Sequence, residues 1–522
     1  MMRYLTATTT ALLAILPRAT TFNNPPLWND LADLDIFRVG NVFYYSASSM
    51  HFSPGAPLLQ SYDLVNWQYI ANSVPTLDFG PEYSLPIGQR AYARGTWASA
   101  ARFRKSNGLF YWYGCVDYKQ TYVYTAPAAE GPWTRKGQFS ECLYDAGLLI
   151  DDDDTMYIAY GSTTIKLAQL SPDGLRVVRD EAIHTYADYA EGSRVYKRNG
   201  AYYVINIQPV KAQYVIKSTT GPFGKYEQRT ILDSTSSPIA GGSTPHQGGL
   251  VDTPAGDWYY MAFTDVYPGG RVPVLAPISW DAQGWPTLQL GANTWPATLP
   301  NPNVPTHQSL DTSVTGSRAF SKSGSLAPEW QWNHNPDTTK WALEGSGVRL
   351  RTATITDDLH SARNTLTHRV LGPSSAGTAV LDVSQMAKGD RAGLSLLRDQ
   401  SAYIGVVVNA DGSKSVVMRS GITMVKTDWK TTSVGKDEAT APISTSRIWL
   451  RAQGDFRPAP SGSLKAQFLY SLDGLKWQQL GSDFTMPNGW EFFQGIRWGV
   501  FNYATTALGG SVLLQSFTVD PR

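Results

Sequence analysis

Residues 101–114 read ARFRKSNGLFYWYG and residues 193–206 read SRVYKRNGAYYVIN, and the two stretches share one layout. In each of them a strand-like run is followed by an Asn-Gly pair and then by a run rich in aromatic residues. Asn-Gly predicts a tight hairpin turn, because both residues tolerate the positive φ angles that such a turn requires. Each stretch therefore predicts a β-hairpin.

The same layout recurs three more times in the N-terminal part of the chain. Residues 35–49, 147–161 and 249–263 read DIFRVGNVFYYSASS, GLLIDDDDTMYIAYG and GLVDTPAGDWYYMAF. A shorter hairpin pattern follows each of the five, as in SYDLVNW at residues 61–67, so each repeat predicts a four-stranded sheet. Spacings of roughly 40–70 residues are typical of β-propeller blades, which pack radially and leave only short edges. The alternative, a pair of β-sandwiches, explains the regular recurrence less well.

A different pattern follows the repeats. Residues 298–313, TLPNPNVPTHQSLDTS, have the composition of a linker. Alternating stretches such as VRLRTATI at 348–355 and YIGVVVNA at 403–410 then continue to the C-terminus, which favours an antiparallel sandwich. We therefore predict an all-β protein: a five-bladed β-propeller over residues 22–297, a linker over 298–313 and a β-sandwich over 314–522.

Charge and hydropathy exclude some classes of partner. The chain has 44 Lys plus Arg against 43 Asp plus Glu, a net charge of +1, so we expect no nucleic-acid partner, which would require a basic surplus. No apolar run reaches the roughly 18 residues of a membrane-spanning helix, so we expect no membrane partner. LTATTTALLAIL at residues 5–16, behind Arg3, predicts a signal peptide within residues 1–20 and a secreted, extracellular protein. A frayed terminus is the alternative.

Only two cysteines are present, Cys115 and Cys142. Two cysteines do not make a disulfide framework, and the sequence leaves open whether they form one bridge.

Acidic residues stand just before the first strand of three repeats. Asp33 and Asp35 lead into the first repeat, Asp145 into the third and Glu191 into the fourth. Because a propeller gathers these segments around its axis, we expect their carboxyl groups to share one cavity. Gathered carboxylates repel and raise one another's pKa, a cost that is typical of acid–base catalysis. For any one of them alone, a bond to a backbone amide in a turn is the alternative interpretation.

Glycoside hydrolysis is the chemistry that needs two carboxyl groups across a small pocket, one ionised to activate water and one protonated to assist the leaving oxygen. Trp97 and His246 hold the equivalent positions before the second and fifth repeats, so we expect both to line the same cavity.

Several blocks resemble glycoside hydrolase family 43, of the arabinofuranosidase and β-xylosidase type with a C-terminal β-sandwich. NPPLWNDLADLDIFRVGNVFYYSASSMHFSPGAPLLQSYDLVNW at residues 24–67 resembles the start of the family. Later blocks follow in the family's order: LYDAGLLIDDDDTMYIAYG at 143–161, AEGSRVYKRNGAYY at 190–203, PHQGGLVDTPAGDWYYMAF at 245–263 and LAPEWQWNHNPDTTKW at 326–341. The likeness covers nearly the whole chain after residue 20.

This resemblance implies an inverting mechanism. Asp33 matches the general base that activates water, Glu191 matches the general acid, and Asp145 matches a third acid that tunes and orients Glu191. The usual Pro-Asp-Pro around the base is Ala-Asp-Leu here, which leaves Asp35 as a rival. We prefer Asp33, because Asp35 directly precedes a strand and is expected to cap its turn. Inversion implies base and acid roughly 6.5–9.5 Å apart.

The resemblance also implies roles for three other side chains, His246, Trp97 and Arg271, and chain position suggests a fourth, His51. His246 matches an axial histidine that can help to hold a divalent cation, often calcium, or a water; a neutral buried histidine is the alternative. The resemblance implies that catalysis requires no cofactor. The metal that it allows is a structural calcium ion near the propeller axis. Trp97 matches a pocket wall, with plain core packing as the alternative. Arg271 matches a pocket arginine that donates to sugar hydroxyls, with a surface ion pair as the alternative. His51 follows the strand of the first repeat, and from this position we expect it to contact substrate.

The implied partner is a plant cell-wall polysaccharide, arabinoxylan or arabinan. RGTWASAARFRKSNGLFYWYGCVDYKQTYVYTA at residues 94–126 is most similar to fungal arabinofuranosidases. The resemblance therefore favours exo-acting release of terminal α-L-arabinofuranose from arabinoxylan side chains. A β-D-xylosidase acting on xylo-oligosaccharides is the first alternative, and a non-catalytic carbohydrate-binding propeller is an alternative from another class.

Overall fold

The structure, a computed structural model, describes residues 20–304, 310–312, 314–318, 320–322 and 324–522. Regular structure in these residues is β, apart from 3-10 turns at Pro81–Ser84, Thr338–Lys340 and Leu359–Ser361. Almost all of the predicted signal peptide, and residues 305–309 and 313 of the predicted linker, lie outside the described residues. Within the described ranges, no helix is long and apolar enough to cross a membrane.

Each of the five repeats forms one four-stranded antiparallel sheet, a blade, with its strands in chain order. Blade one contains Asp35–Val39, Val42–Ser46, Gly55–Ser61 and Gln68–Val74. Blade two contains Ser99–Arg104, Leu109–Val116, Gln120–Ala126 and Thr134–Phe139. Blade three contains Gly147–Ile150, Met156–Tyr160, Thr164–Leu170 and Val177–Thr185. Blade four contains Glu191–Arg198, Ala201–Gln208, Ala212–Ser218 and Glu227–Asp233, and blade five contains His246–Asp252, Trp258–Asp265, Arg271–Trp280 and Pro286–Leu288.

The blades close into a ring around one axis. The first strands of successive blades contact one another, and the first strand of blade five contacts that of blade one. Apolar side chains between the blades hold the ring together; Phe37 of blade one, for example, packs 6.4 Å from Phe110 of blade two between ring centroids. These contacts confirm the predicted five-bladed β-propeller. The radial arrangement buries the faces of the five short sheets against one another.

The predicted linker is partly a strand. Thr298–Pro300 pairs antiparallel with Thr21–Asn23, so the segment after blade five is held against the segment before blade one. The Pro-rich composition favoured a linker. A strand of three residues is also too short to show a periodic pattern in the sequence.

The C-terminal region is the predicted β-sandwich. One sheet has nine strands, Gly316–Arg318, Trp341–Glu344, Gly347–Arg351, Ser374–Asp382, Arg447–Asp455, Lys465–Ser471, Gln478–Gln479, Phe484–Thr485 and Ser511–Pro521. The other has eight, Phe52–Ser53, Gln331–Asn333, Leu366–Arg369, Asp390–Leu397, Gln400–Val408, Lys414–Met424, Thr431–Ile443 and Arg497–Ala504. Ser321–Lys322 and Ser325–Leu326 form a separate pair. Alternate residues of both large sheets face one shared apolar core.

The sandwich is joined to the propeller through the backbone. Phe52–Ser53, which belongs to the propeller by sequence, pairs with Gln331–Asn333 and so becomes the edge strand of the eight-stranded sheet. This pairing fixes the position of the sandwich over one end of the propeller axis, where its loops reach the site described next.

A disulfide links Cys115 and Cys142, with a Cα–Cα distance of 5.1 Å. It joins the second strand of blade two to the segment after the blade's last strand. The pairing that the sequence left open is therefore present in the structure.

Candidate active site

A cavity of about 920 Å³ lies where the segments leading into the five blades meet. Its volume is in the range of small-molecule binding sites. Six of the seven side chains predicted for the site line it: Asp33, Trp97, Asp145, Glu191, His246 and Arg271. Three acids that are far apart in the sequence therefore share one hollow, as the propeller topology predicts.

Asp33 is held by two donors, one on each carboxylate oxygen. The Ser48 hydroxyl donates to Oδ2 at 2.8 Å, and Nη1 of Arg271 donates to Oδ1 at 3.1 Å. The two donors fix the orientation of the carboxyl group at the cavity wall. A fixed carboxylate in this position is suited to accept a proton from water.

Asp145 is almost fully buried and faces the other two acids. Burial raises its pKa well above the ordinary value, and the charges of Glu191 and Asp33 raise it further. The backbone N–H of Gly192 donates to its carboxylate and opposes this shift. Because Gly192 follows Glu191 directly, Asp145 is tied to the chain segment that carries Glu191.

Glu191 is the first residue of blade four, and its carboxyl group faces the cavity. Its Oε2 accepts hydrogen bonds from the hydroxyls of Tyr144 at 2.8 Å and Tyr189 at 2.6 Å. Its surroundings therefore differ from those of Asp33: Glu191 is bonded by neutral hydroxyls, whereas Asp33 is paired with a guanidinium. Acid and base roles separate when two carboxyl groups have such different environments.

The buried guanidinium of Arg194 organises the backbone beneath the acids. Nη2 donates to the carbonyls of Asp33 at 3.0 Å and Leu34 at 2.8 Å, and Nη1 donates to the carbonyl of Ala146 at 2.9 Å. Arg194 lies three residues after Glu191. One side chain thus connects the segments that carry all three acids.

Asp33 and Asp145 share an unusual backbone conformation, with φ angles of 56° and 51°. Asp is one of the few residues that tolerate this left-handed region. The two residues hold corresponding positions before blades one and three, so the repeat reproduces the backbone turn together with the acid. Both turns direct the carboxyl group into the cavity.

Arg271 is buried and contacts acids rather than standing free in the cavity. Besides Asp33, its Nε lies 3.1 Å from the Tyr267 hydroxyl and 3.2 Å from Oδ1 of Asp265. Burial opposes its charge, but Tyr267, Asp265 and Asp33 outweigh burial and raise its pKa. The guanidinium group also lies over two aromatic rings, those of Phe263 of the propeller and Phe493 of the sandwich.

Trp97 lines the cavity wall beside Tyr118, in an edge-to-face contact with 4.5 Å between ring centroids. Its indole N–H donates to the carbonyl of Ala93 at 3.2 Å, which fixes the ring. The structure thus places Trp97 where the sequence predicted a pocket wall.

His246 does not form a calcium site. Its Nδ1 bonds the carbonyl of Thr244 at 2.9 Å, and burial lowers its pKa, so the ring is neutral. Calcium prefers six to eight oxygen ligands. In the part of the chain that the structure describes, no three His, Cys, Asp or Glu side chains are grouped to hold a metal, and both nearby acids, Asp33 and Asp265, are paired with Arg271. These residues do not fit the predicted calcium, and no step below uses a metal.

His51 is not at the cavity, which contradicts the predicted substrate contact. Its ring is fully buried between Tyr92 of the propeller and His334 of the sandwich, with 4.7 and 4.9 Å between centroids. The neighbouring Met50 lines the cavity instead. Met50 adopts a positive φ angle of 52°, so the chain turns at this point, and the His51 ring faces the domain interface.

Asp35, the rival for the base role, is also buried away from the cavity. It accepts the backbone N–H of Ala101 at 2.9 Å and pairs with Arg102 at 2.6 Å. Asp35 therefore has a structural role, since it links blade one to blade two. The sequence led us to expect that Asp35 would cap the turn before its own strand, but its partners belong to the neighbouring blade.

Sequence reasoning missed several residues of the site. Tyr144 and Tyr189 stand within two residues of predicted acids, so the same alignment of repeats could have found them. Asp265 closes the second strand of blade five, where no pattern marked it. The sandwich contributes Pro458, Ala459, Asn488, Gly489, Trp490 and Phe493 to the lining, and its sequence carried no signal of this.

Comparisons with known proteins agree with this geometry. The family described as Glycosyl hydrolases family 43 matches residues 22–286, and the one described as Beta xylosidase C-terminal Concanavalin A-like domain matches residues 317–520. A putative beta-xylosidase of Xylanibacter ruminicola is 30% identical over 95% of this chain and 88% of its own length. A non-reducing end alpha-L-arabinofuranosidase of Bacteroides ovatus is 23% identical over 76% of this chain and 78% of its own length.

A solved structure is also similar over its whole length. It comes from work on engineering the active site of a GH43 glycoside hydrolase to display both endo-xylanase and exo-arabinofuranosidase activity. It has a TM-score of 0.93 and 44% identity, and the match covers 96% of this chain and all of that one. Enzymes of this family are typically cofactor-independent. The protein is a glycosidase, and the chain belongs to glycosyl hydrolase family 43.

Proposed function

We propose that the protein is an inverting, exo-acting hydrolase that releases terminal α-L-arabinofuranose from arabinoxylan side chains, with Asp33 as general base and Glu191 as general acid. The observation that carries this proposal is the meeting of Asp33, Asp145 and Glu191 in one cavity, each in a different environment. Two carboxyl groups in distinct surroundings are what glycoside hydrolysis requires.

In this mechanism Asp33 takes a proton from a water as the water attacks the anomeric carbon. Glu191 gives its proton to the glycosidic oxygen as the bond to the anomeric carbon breaks, and the bonding electron pair stays on that oxygen. Asp145 lies beside Glu191 and orients it through the backbone N–H of Gly192. Arg271 holds Asp33 in place through the 3.1 Å contact.

The shape of the cavity supports action on a terminal or branching sugar. The propeller forms one side of it, and the sandwich residues Asn488, Trp490 and Phe493 form part of the other. A pocket bounded by two domains favours binding of one sugar unit at the end or branch of a polymer. A polymer chain bound along its middle would need an open groove instead. Aromatic rings on its wall, such as Trp97 and Tyr118, present apolar faces to the C–H groups of a sugar.

A β-D-xylosidase is the second candidate, and a specific observation favours it: the relative with 30% identity is a putative beta-xylosidase. The arabinofuranosidase candidate has its support in the resemblance of residues 94–126 and in the relative from Bacteroides ovatus. Both sugars are pentoses that present similar hydroxyl groups, and the acids serve either one in the same way.

Product analysis separates the two candidates. The enzyme is incubated with arabinoxylan oligosaccharides that carry arabinose branches and, separately, with unbranched xylo-oligosaccharides. Release of arabinose from the first and nothing from the second is the expected result. Release of xylose from the non-reducing ends would replace the arabinofuranosidase proposal with the xylosidase.

We further propose that the protein is secreted. The support is the pattern of residues 1–20 together with the Cys115–Cys142 disulfide, since structural disulfides persist in oxidising compartments. N-terminal sequencing of protein from the culture medium of the producing cells tests this. A mature N-terminus near residue 20 is expected, and protein found only inside the cells with an intact N-terminus would contradict it.

A further inference from the structure

Two tyrosine hydroxyls donate to the same oxygen of Glu191. Tyr144 lies just before blade three and Tyr189 just before blade four, and their hydroxyls reach Oε2 of Glu191 at 2.8 and 2.6 Å. Within the described residues, no protein group hydrogen-bonds to the other oxygen, Oε1. The two oxygens of this carboxyl group are therefore in different environments.

This asymmetry decides where a proton resides. A protonated carboxyl group has one carbonyl-type oxygen, which only accepts, and one hydroxyl oxygen, which donates. An oxygen that already accepts two O–H donors is held in the accepting role. The proton of Glu191 is then carried by Oε1.

Both tyrosines remain donors at any working pH. Burial and the nearby charges of Asp145 and Glu191 raise the pKa of Tyr144, and burial and the bond to Glu191 raise the pKa of Tyr189. Neither phenol therefore ionises where the enzyme acts, and the arrangement persists through the reaction.

We propose that Tyr144 and Tyr189 are positioning residues that keep Oε2 of Glu191 as the accepting oxygen, so that Oε1 carries the proton delivered to the leaving group. This inference rests on the proposed role of Glu191 as general acid. In the step, the Oε1–H bond breaks as an O–H bond forms on the glycosidic oxygen, which keeps the electron pair of its broken bond to carbon. Glu191 is left as a carboxylate, and the two hydroxyls stabilise its new charge.

The two tyrosines differ in what else they do. Tyr144 adjoins Asp145 in the chain and packs against Tyr118, with ring centroids 5.2 Å apart. Tyr189 is 49% exposed at the cavity, and its hydroxyl donates to Glu191 and also interacts with the hydroxyl of Tyr144. Tyr189→Phe is therefore the cleaner substitution, with Tyr144→Phe and the double variant as companions.

The test varies the leaving group. The kcat/KM of the parent and of Tyr189→Phe is measured on aryl glycosides of the preferred sugar, from dinitrophenyl to unsubstituted phenyl. General acid catalysis is worth roughly 10²–10⁴-fold. We expect Tyr189→Phe to lose about tenfold on the phenyl glycoside and less than twofold on the dinitrophenyl one, since a good leaving group needs no proton. The double variant should lose more on phenyl, and the basic limb of its pH profile should move to higher pH.

Tyr160→Phe is the matched control. Tyr160 lies in the second strand of blade three, and its hydroxyl likewise donates to a carboxylate, Asp180, at 2.9 Å, but it does not line the cavity. Its removal should leave the whole leaving-group series unchanged.

An equal loss of activity on all leaving groups, or no loss on any, would overturn the inference about the tyrosines. Glu191→Gln in the same series tells that failure from failure of the proposed function. If Glu191→Gln shows the leaving-group dependence and Tyr189→Phe does not, only the tyrosine inference is wrong. If Glu191→Gln shows none, Glu191 is not the acid, and both proposals are wrong.

Discussion

Nη1 of Arg271 lies 3.1 Å from Oδ1 of Asp33, although 238 residues separate the two in the chain. Arg271 comes from the third strand of blade five and Asp33 from the segment before blade one, so this contact forms where the ring of blades closes. The closure of the propeller therefore positions the residue proposed to activate water.

Arg271→Lys should lower kcat/KM by roughly 10²-fold, the cost of a misplacement of about 1 Å at a reacting group. A lysine keeps the charge but loses the planar group that contacts Asp33, Asp265 and Tyr267 together. Steady-state kinetics measure the change. Arg229→Lys, which alters an exposed pair with Asp281, is the control and should retain parental activity.

Asp33→Asn and Asp35→Asn should have opposite consequences. Asp33→Asn removes the base and should lower kcat by roughly 10²–10⁴-fold with little change in Tm. Asp35→Asn leaves the partly buried Arg102 and the fully buried Arg194 without their shared charged partner. A loss of this kind costs about 3–5 kcal/mol and should mainly lower Tm. Thermal melts and kinetics on both variants test this. If Asp35→Asn abolished turnover at unchanged Tm and Asp33→Asn did not, the base assignment would be reversed.

Asp145→Asn should raise Tm at pH 7 while lowering activity. Burial and two neighbouring acids raise the pKa of Asp145 in the folded state. A carboxyl group whose pKa is raised by folding stabilises the folded state below its ordinary pKa, and this contribution is lost as the pH rises through the folded pKa. At pH 7 Asp145 therefore lowers the free energy of unfolding, and asparagine removes this effect. The gain in Tm over the parent should shrink toward pH 3. Asp152→Asn at an exposed turn should show no such difference, and equal melting curves for Asp145→Asn and the parent at pH 7 would be evidence against this environment.

The propeller–sandwich interface should weaken in acid because of its buried histidines. His334 accepts the backbone N–H of Ala91 at 2.9 Å, and burial lowers its pKa to about 3; His51 accepts the N–H of Ala93 at 3.3 Å, and burial lowers its pKa well below the ordinary value. Protonation would remove both acceptors. With a folded pKa below the unfolded value of 6.5, His334 contributes stability that is present above that value and lost as the pH falls toward 3.

The size of the effect is on the order of 4 kcal/mol for His334 alone. The free energy of unfolding, measured with urea between pH 7 and pH 3.5, should fall less steeply in His334→Asn than in the parent, since asparagine accepts the same bond without titrating. His184, which is only partly buried, offers a control, and His184→Asn should keep the parental slope. Parallel curves for His334→Asn and the parent would contradict the prediction.

Trp490→Ala should weaken binding of branched or polymeric substrates. Its ring is 58% exposed, belongs to the sandwich and lines the cavity beside Phe493. Loss of an aromatic contact worth about 0.5–1.5 kcal/mol should raise KM several-fold on arabinoxylan while the values for a small aryl glycoside stay close to those of the parent. Leu475→Ala, at an exposed sandwich turn away from the cavity, should change neither. An equal effect of Trp490→Ala on both substrates would place Trp490 at the cleaved sugar instead.

The features that the sequence predicts correctly depend on local, repeated signals. Each blade carries its own hairpin pattern, and Asn199 and Gly200 adopt the positive φ angles of 49° and 78° that such a turn requires. The acids were found because Asp33 and Asp145 occupy one position of that repeat. Because a propeller places equivalent positions of its repeats around one axis, the sequence predicts that these acids meet, even though it shows no long-range contact.

The features that the sequence missed depend on contacts between distant segments. Arg194 binds carbonyl groups of two other blades, and no pattern in its own strand indicates this. His51 was misassigned because a substrate contact and an interface contact look alike until the sandwich is in place. The contribution of Trp490 to the cavity likewise required the position of the second domain.

Proton NMR of the sugar released in the first seconds of hydrolysis distinguishes inversion from retention at the anomeric carbon. If Asp33 directs water to the face opposite the bond that Glu191 protonates, an α-linked arabinofuranoside must first yield β-arabinose, which then equilibrates to the mixture of anomers. An initial product that keeps the α configuration would mean a covalent sugar–enzyme intermediate and would contradict the roles given to the two acids.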